Sequence, residues 1–148
     1  MATKYEHTQK AGLPFYAMLV LLPILGVCIL ADPAAPVGVL IMAILLLLWG
    51  LLLMSSLTVT IDDTSLTVRF GPGVFWRTYS LSDIAGIGPT FTTYIWGWGI
   101  RWYPGGWLYN IAGFKSVEIV LKNGKKRRIG TDEPDKLAEA IRAATGAC

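Results

Sequence analysis

Histidine and cysteine are almost absent from this 148-residue chain, which has one His, at position 7, and two Cys, at 28 and 148. His7 stands beside Glu6 in a polar stretch, so no His/Cys cluster has metal-ligand spacing, and neither a metal nor another cofactor is expected. Cys28 lies inside an apolar run and Cys148 ends the chain, a separation that argues against an intramolecular disulfide and points to a reducing compartment. Charge is scarce too, at 16% Asp, Glu, Lys and Arg with a net +3. That excess is small for tracking nucleic-acid phosphates, no RNA-binding motif is present, and no nucleic-acid partner is expected. Gly71-Pro72-Gly73 and Gly97-Trp98-Gly99 lack the following Lys-Ser/Thr of a phosphate loop and read as turn glycines. No nucleophile stands with a base, and the carboxylates are explained by turn and capping roles, so catalysis is not expected.

The absence of charge is most pronounced between Leu13 and Leu53, where Asp32 is the one charged residue. Two apolar segments, Leu13 to Ala31 and Val37 to Leu53, flank the break Asp32-Pro33-Ala34-Ala35-Pro36. Each is near the roughly 20 residues that span a bilayer core, and Ile41 to Trp49 is apolar on every helical face. The reading is a transmembrane helical hairpin over residues 13–54, after a short tail (1–12) and before a soluble unit (55–148). A cleaved signal peptide fits less well, because the first run exceeds the usual signal core and a second run follows at once. Of the 13 Lys and Arg, Lys4 and Lys10 lie in the tail, the others follow residue 55, and the connector carries none. By the positive-inside tendency the protein is a multi-pass protein of the inner membrane with both termini cytoplasmic. Trp49 takes the place of an interfacial aromatic anchor. Intramembrane ionisable groups for a proton or ion path are lacking.

From Leu57 the apolar period changes to two. Leu57 to Ile61 and Leu66 to Phe70 form a hairpin around Asp62 to Ser65, Val74 to Tyr79 a third strand, and Ile84 to Thr92 a fourth. Gly99 to Tyr103 and Trp107 to Ile111 turn at Pro104-Gly105-Gly106, and Ser116 to Leu121 returns through Asn123-Gly124 as Lys125 to Ile129. Turn punctuation gives about seven strands. A helix follows: Thr131 or Asp132 suits its cap, Pro134 its first turn, and Leu137, Ile141 and Ala144 share one face.

Short antiparallel strands ending in one amphipathic helix resemble the pleckstrin-homology superfold, a partly open seven-stranded barrel capped by its C-terminal helix. The wording is similar to that of small bacterial membrane proteins with a pleckstrin-homology-like domain. It lies in Arg77-Thr78-Tyr79-Ser80-Leu81-Ser82-Asp83-Ile84, in Trp96-Gly97-Trp98-Gly99-Ile100-Arg101, in Trp107-Leu108-Tyr109-Asn110-Ile111 and in Arg128-Ile129-Gly130-Thr131-Asp132-Glu133-Pro134. The resemblance covers roughly Ser55 to Ala144. It implies a membrane helical hairpin joined to an α+β, mainly β unit that acts as a non-catalytic binding or scaffolding module.

Two stretches are candidate sites. Lys122 and Lys125-Lys126-Arg127-Arg128 flank the Asn123-Gly124 turn, where each residue near a surface could gain about 1 kcal/mol from anionic lipid. Such a run equally serves as a solvated edge that resists pairing, and alternation sends its residues to opposite faces. Tyr94 to Tyr103, with Trp107 and Tyr109 close behind, could place Trp96 and Trp98 at a head-group layer or against a ligand, while most of these rings fill a core. Expected partners are a lipid bilayer, with its anionic head groups, and a membrane protein or a second copy of the chain. The alternative role is that of a small accessory subunit of a larger membrane complex, since Ala17, Gly26, Gly38 and Ala43 permit close helix contacts.

Overall fold

The computed structural model describes residues 3–10, 12–31, 34, 37–92 and 99–146, without the side chains of residues 14, 18 and 54. The first sheet is an antiparallel meander of β1 (Tyr5–Lys10), β2 (Ser56–Ile61), β3 (Ser65–Phe70) and β4 (Phe75–Ser80) in that order. A single 3-10 turn, Leu81–Asp83, leads into the second sheet of β5 (Ile84–Phe91), β6 (Gly99–Tyr103), β7 (Gly106–Asn110), β8 (Lys115–Leu121) and β9 (Lys126–Gly130). Its order is β5-β8-β9-β7-β6, antiparallel except for the parallel pair of β7 with β9. Among the described residues there are three α-helices: α1 (Leu13–Leu30), α2 (Val37–Met54) and α3 (Pro134–Thr145).

The seven-stranded, partly open barrel is therefore replaced, among the described residues, by nine strands in two separate sheets, in a mixed α/β architecture. Two events account for the difference. The first is that residues 5–10, which read as a polar tail, form β1 and pair with β2 from Tyr5 opposite Ile61 to Lys10 opposite Ser56. Tyr5, His7 and Gln9 supply the inward positions, so the strand alternates in burial without alternating in hydrophobicity. The second is that the β6/β7 hairpin is spliced between β5 and β8, which are each other's partners, and so attaches to β9 on the far side.

The transmembrane hairpin is also corrected. The apolar runs form α1 and α2, which pack against one another, but among the described residues no helix is long and apolar enough to cross a membrane. Each ends after 18 residues. At about 1.5 Å per residue that is about 27 Å, short of a hydrocarbon core about 30 Å thick. The multi-pass inner-membrane placement with both termini cytoplasmic falls with it. The helices instead form an insertion in the β1–β2 connection, and their large apolar side chains, Leu21, Ile24 and Leu46 among them, are exposed. At its far end α2 meets the β unit: Ser55 Oγ donates to the Leu52 carbonyl at 2.8 Å, and Leu53 packs against the core.

The core lies between the sheets. The period-two pattern delivers Leu57, Val59 and Ile61 from β2 and Leu66, Val68 and Phe70 from β3, all at most a few per cent exposed. Val117, Ile119 and Leu121 of β8 and Ile129 of β9 face them. α3 closes one side with Leu137, Ala138 and Ile141, and each large side chain so buried contributes about 1.5–3 kcal/mol. Thr131 Oγ1 accepts the Glu133 N–H at 3.1 Å just ahead of the helix, and Gly146 ends it in the left-handed conformation. In the β8–β9 turn Gly124 takes φ +79°, and Asn123 Oδ1 accepts the Lys125 N–H at 3.0 Å.

Candidate functional site

Among the described residues β4 is one edge strand of the first sheet, opposite β1, and β6 is one edge strand of the second, opposite β5. The β3–β4 register sets Phe75, Arg77 and Tyr79 opposite Phe70, Val68 and Leu66, so these three β4 side chains share the face of the core. An apolar residue is expected at each such position. Arg77 breaks the pattern, and it does so where the two sheets diverge. There a cavity of about 550 Å³ is lined by Phe75, Arg77, Thr78 and Tyr79 from β4, Ile100 from β6, Trp107 and Tyr109 from β7, and Arg127 from β9.

Aromatic contacts fix the floor of this cleft. The Phe75 ring lies 6.0 Å from Phe70 and 6.4 Å from Tyr109, and the Tyr79 and Tyr109 hydroxyls are hydrogen-bonded at 2.7 Å. Burial first, and then the bond to Tyr79, push the Tyr109 phenol above its ordinary value, so it remains a neutral hydroxyl at physiological pH. Two cations face these rings. The Arg77 guanidinium carbon lies 5.5 Å from the Phe75 centroid, and that of Arg127 lies 5.8 Å from Tyr79. Arg127 Nη1 donates to the Lys126 carbonyl at 2.7 Å, while its Nε is buried with no hydrogen-bond partner among the described residues. An unmet buried donor costs about 1–3 kcal/mol, a cost that an incoming acceptor would remove. Among the described residues no carboxylate lines this cavity.

The cleft continues along β4. A second cavity of about 300 Å³ shares Thr78 and Tyr79 with the first and extends past Ser80 to Asp83, Leu121, Lys122 and Asn123. The hydrogen bond from the Leu81 N–H to the Thr64 carbonyl at 2.9 Å fixes the phase of the ladder. Phe75, Arg77 and Tyr79 then bond to β3, and the N–H and C=O groups of Trp76, Thr78 and Ser80 point to the free edge, without a strand partner among the described residues.

The basic run is divided by the strand it forms. Lys122 and Lys125 are exposed in and beside the turn. Lys126 and Arg128 lie on the outer face of the second sheet, where Glu118 holds both: Lys126 Nζ at 3.2 Å from Oε1 and Arg128 Nε at 2.7 Å from Oε2. Burial opposes the charge on Glu118, but the hydrogen bonds from Arg128 and Lys126 outweigh it and hold the carboxyl below its ordinary value. Arg128 also stacks 4.4 Å from the Tyr103 centroid, and burial together with Glu118 pushes the Tyr103 phenol up to about 12. Arg127 alone of the run turns inward to the cleft.

Trp49 is on α2 and 56% exposed, far from this arrangement in the chain. Trp96 and Trp98 lie outside the described residues. Tyr94 also lies outside the described residues; of the remaining rings of that stretch, Tyr103 and Tyr109 are buried, Trp102 is exposed, and Trp107 is 42% exposed at the cleft. The sequence reading missed Arg77. Its signal was a charge between two aromatic residues at period two, Phe75-x-Arg77-x-Tyr79, on a strand whose inner face is otherwise apolar. The cleft offers paired cations, aromatic faces and hydroxyl donors, a set that binds anions. Compared with known proteins, the chain matches no family model and no curated sequence.

Proposed function

We propose that this chain is a non-catalytic binding or scaffolding module, of the pleckstrin-homology kind its motifs resemble, and that its ligand is an anion held in the cleft between the β4 and β6 edges. One observation carries the reading: two guanidinium groups, Arg77 and Arg127, line an aromatic cavity that contains no carboxylate among the described residues. Elsewhere in the fold a partly buried cation is matched, as Arg128 is by Glu118. A bound anion would give the cleft the balance that the outer face already has.

The lipid-facing role of the basic run is narrowed by the same geometry. Lys126 and Arg128 are engaged by Glu118, which leaves Lys122 and Lys125 at the turn and Arg127 in the cleft. The test is calorimetric titration of the full chain, kept in a neutral detergent, with tripolyphosphate. Binding should weaken by about tenfold in Arg77→Gln and again in the double variant with Arg127→Gln. Lys122→Gln with Lys125→Gln should change it far less. Equal affinities across all these proteins would remove the cleft as the anion site.

A second reading, that of an accessory subunit, is favoured by the exposed apolar side chains of α1 and α2, which exceed what a monomer normally leaves uncovered. Crosslinking in the native source would support it by returning one stoichiometric partner, joined through these helices.

A further inference from the structure

Resting on the anion-binding reading, we infer that the natural occupant of the cleft is an extended acidic peptide that adds to β4 as a fifth strand of the first sheet. Three independent features converge on an elongated occupant. The two cavities share Thr78 and Tyr79 and together follow β4 from Phe75 to Ser80, whereas a compact anion needs only one of them. Among the described residues the edge they follow carries peptide groups without a strand partner at Trp76, Thr78 and Ser80, spaced every second residue as an added strand requires of its neighbour. Natural edges are usually blunted by Pro, bulges or inward charges; β4 has neither Pro nor a register shift, and its one inward charge, Arg77, admits only a strand that brings a carboxylate against it.

Side-chain chemistry then selects the peptide. In an added strand, residues opposite Phe75, Arg77 and Tyr79 point to the core side, into the cleft. The residue opposite Arg77 meets Arg77 from one side and Arg127 from the other, which favours Glu or Asp. Its neighbours two positions away meet Phe75 with Trp107, and Tyr79, which favours apolar residues. The pattern recognised is apolar-x-acidic-x-apolar. On the opposite face Trp76 is 62% exposed and offers the alternate side chains an aromatic surface. Lys122, at the end of the groove, suits a second carboxylate or a C-terminus.

The probe is a blocked peptide of about eight residues that alternates threonine with valine, glutamate and valine, matched to a strand of β4's length. It is titrated into the full chain in neutral detergent beside two controls: the same peptide N-methylated at the amides that would face β4, and tripolyphosphate. The expected result is binding of the parent peptide, loss of about tenfold or more on N-methylation, and a similar loss in Trp76→Pro, whose side chain is outside the cavity lining, with tripolyphosphate affinity unchanged. Arg77→Gln should weaken both peptide and tripolyphosphate. Equal binding of the methylated and unmethylated peptides would overturn strand addition, as would micelles doped with an anionic lipid binding through Arg77 while the peptide does not. Either outcome leaves the anion cleft intact. Tripolyphosphate binding indifferent to Arg77 would instead remove the cleft reading itself.

Discussion

Glu118 shows how one carboxylate decides where a basic strand can act. It pins Lys126 and Arg128 to the outer face and is itself held below its ordinary value of 4.5. A carboxyl whose folded value is depressed adds stability that is fully present above the unfolded value and drains away as pH falls through the folded one. The chain should therefore lose stability in acid, starting below about pH 4.5. Glu118→Gln should be less stable at neutral pH by about 1–2 kcal/mol and should show a flatter acid limb in thermal melts. Gly106 makes a different kind of demand. A Cβ there would stand on the Lys126 carbonyl, the point where β7 lies parallel to β9. Gly106→Ala should separate the β6/β7 hairpin from the sheet and lower the melting temperature far more than Gly88→Ala, where a Cβ meets open space. None of this was visible in the local pattern. Lys126-Arg127-Arg128 announced positive charge, but which residue faced Glu118 and which faced Tyr79 depended on register between segments distant in sequence.

Among the elements, those with a strong apolar period were read at nearly their true bounds. β2, β3, β8 and α3 are examples, because burial of Leu57, Val68, Ile119 or Leu137 leaves a repeat that the sequence displays directly. Truncating such a residue, as in Leu137→Ala, should cost about 2–5 kcal/mol in a denaturant titration. β1 stayed hidden because its inward residues are Tyr5, His7 and Gln9, two of which find tertiary partners for a polar nitrogen: His7 Nε2 lies 2.6 Å from Asp132 Oδ1, and Gln9 Nε2 donates to the Ala112 carbonyl at 3.2 Å. Its partner, β2, is separated from it by both helices. That arrangement yields a direct test. Gln9 stands opposite Leu57, so replacing residues 10–56 by Asn-Gly should join β1 to β2 in a tight hairpin and leave the β unit folded. Deleting residues 1–12 instead should broaden and lower the unfolding transition, since β2 then becomes an uncovered edge.

For the molecule as a whole, the contrast is between a closed core and an open surface. The β unit buries its period-two residues, while α1 and α2 expose leucines and isoleucines on several faces. In the absence of detergent the full chain should associate with rising concentration in sedimentation experiments, and the Asn-Gly excision variant should remain monomeric. The two apolar runs were legible as helices at nearly their true bounds, but among the described residues neither helix is long and apolar enough to cross a membrane. The seam between the sheets was not legible at all. It is made by β4 and β6, two strands that never pair, and a sequence pattern records pairing and burial rather than the gap left between edges.

The insertion also has a mechanical meaning. Both ends of the helical pair leave the β unit side by side, from Lys10 and Ser56, at the same end of adjacent strands. Tension applied to the helices therefore loads the β1–β2 ladder one rung at a time instead of shearing all rungs together. A zipper loaded in this way yields at low force, and it yields first at β1, whose other edge has no strand partner among the described residues. β3, β4 and the cleft beyond them lie outside the load path. The first strand is thus a fuse: whatever grips the helices can strip it away before the groove feels the pull.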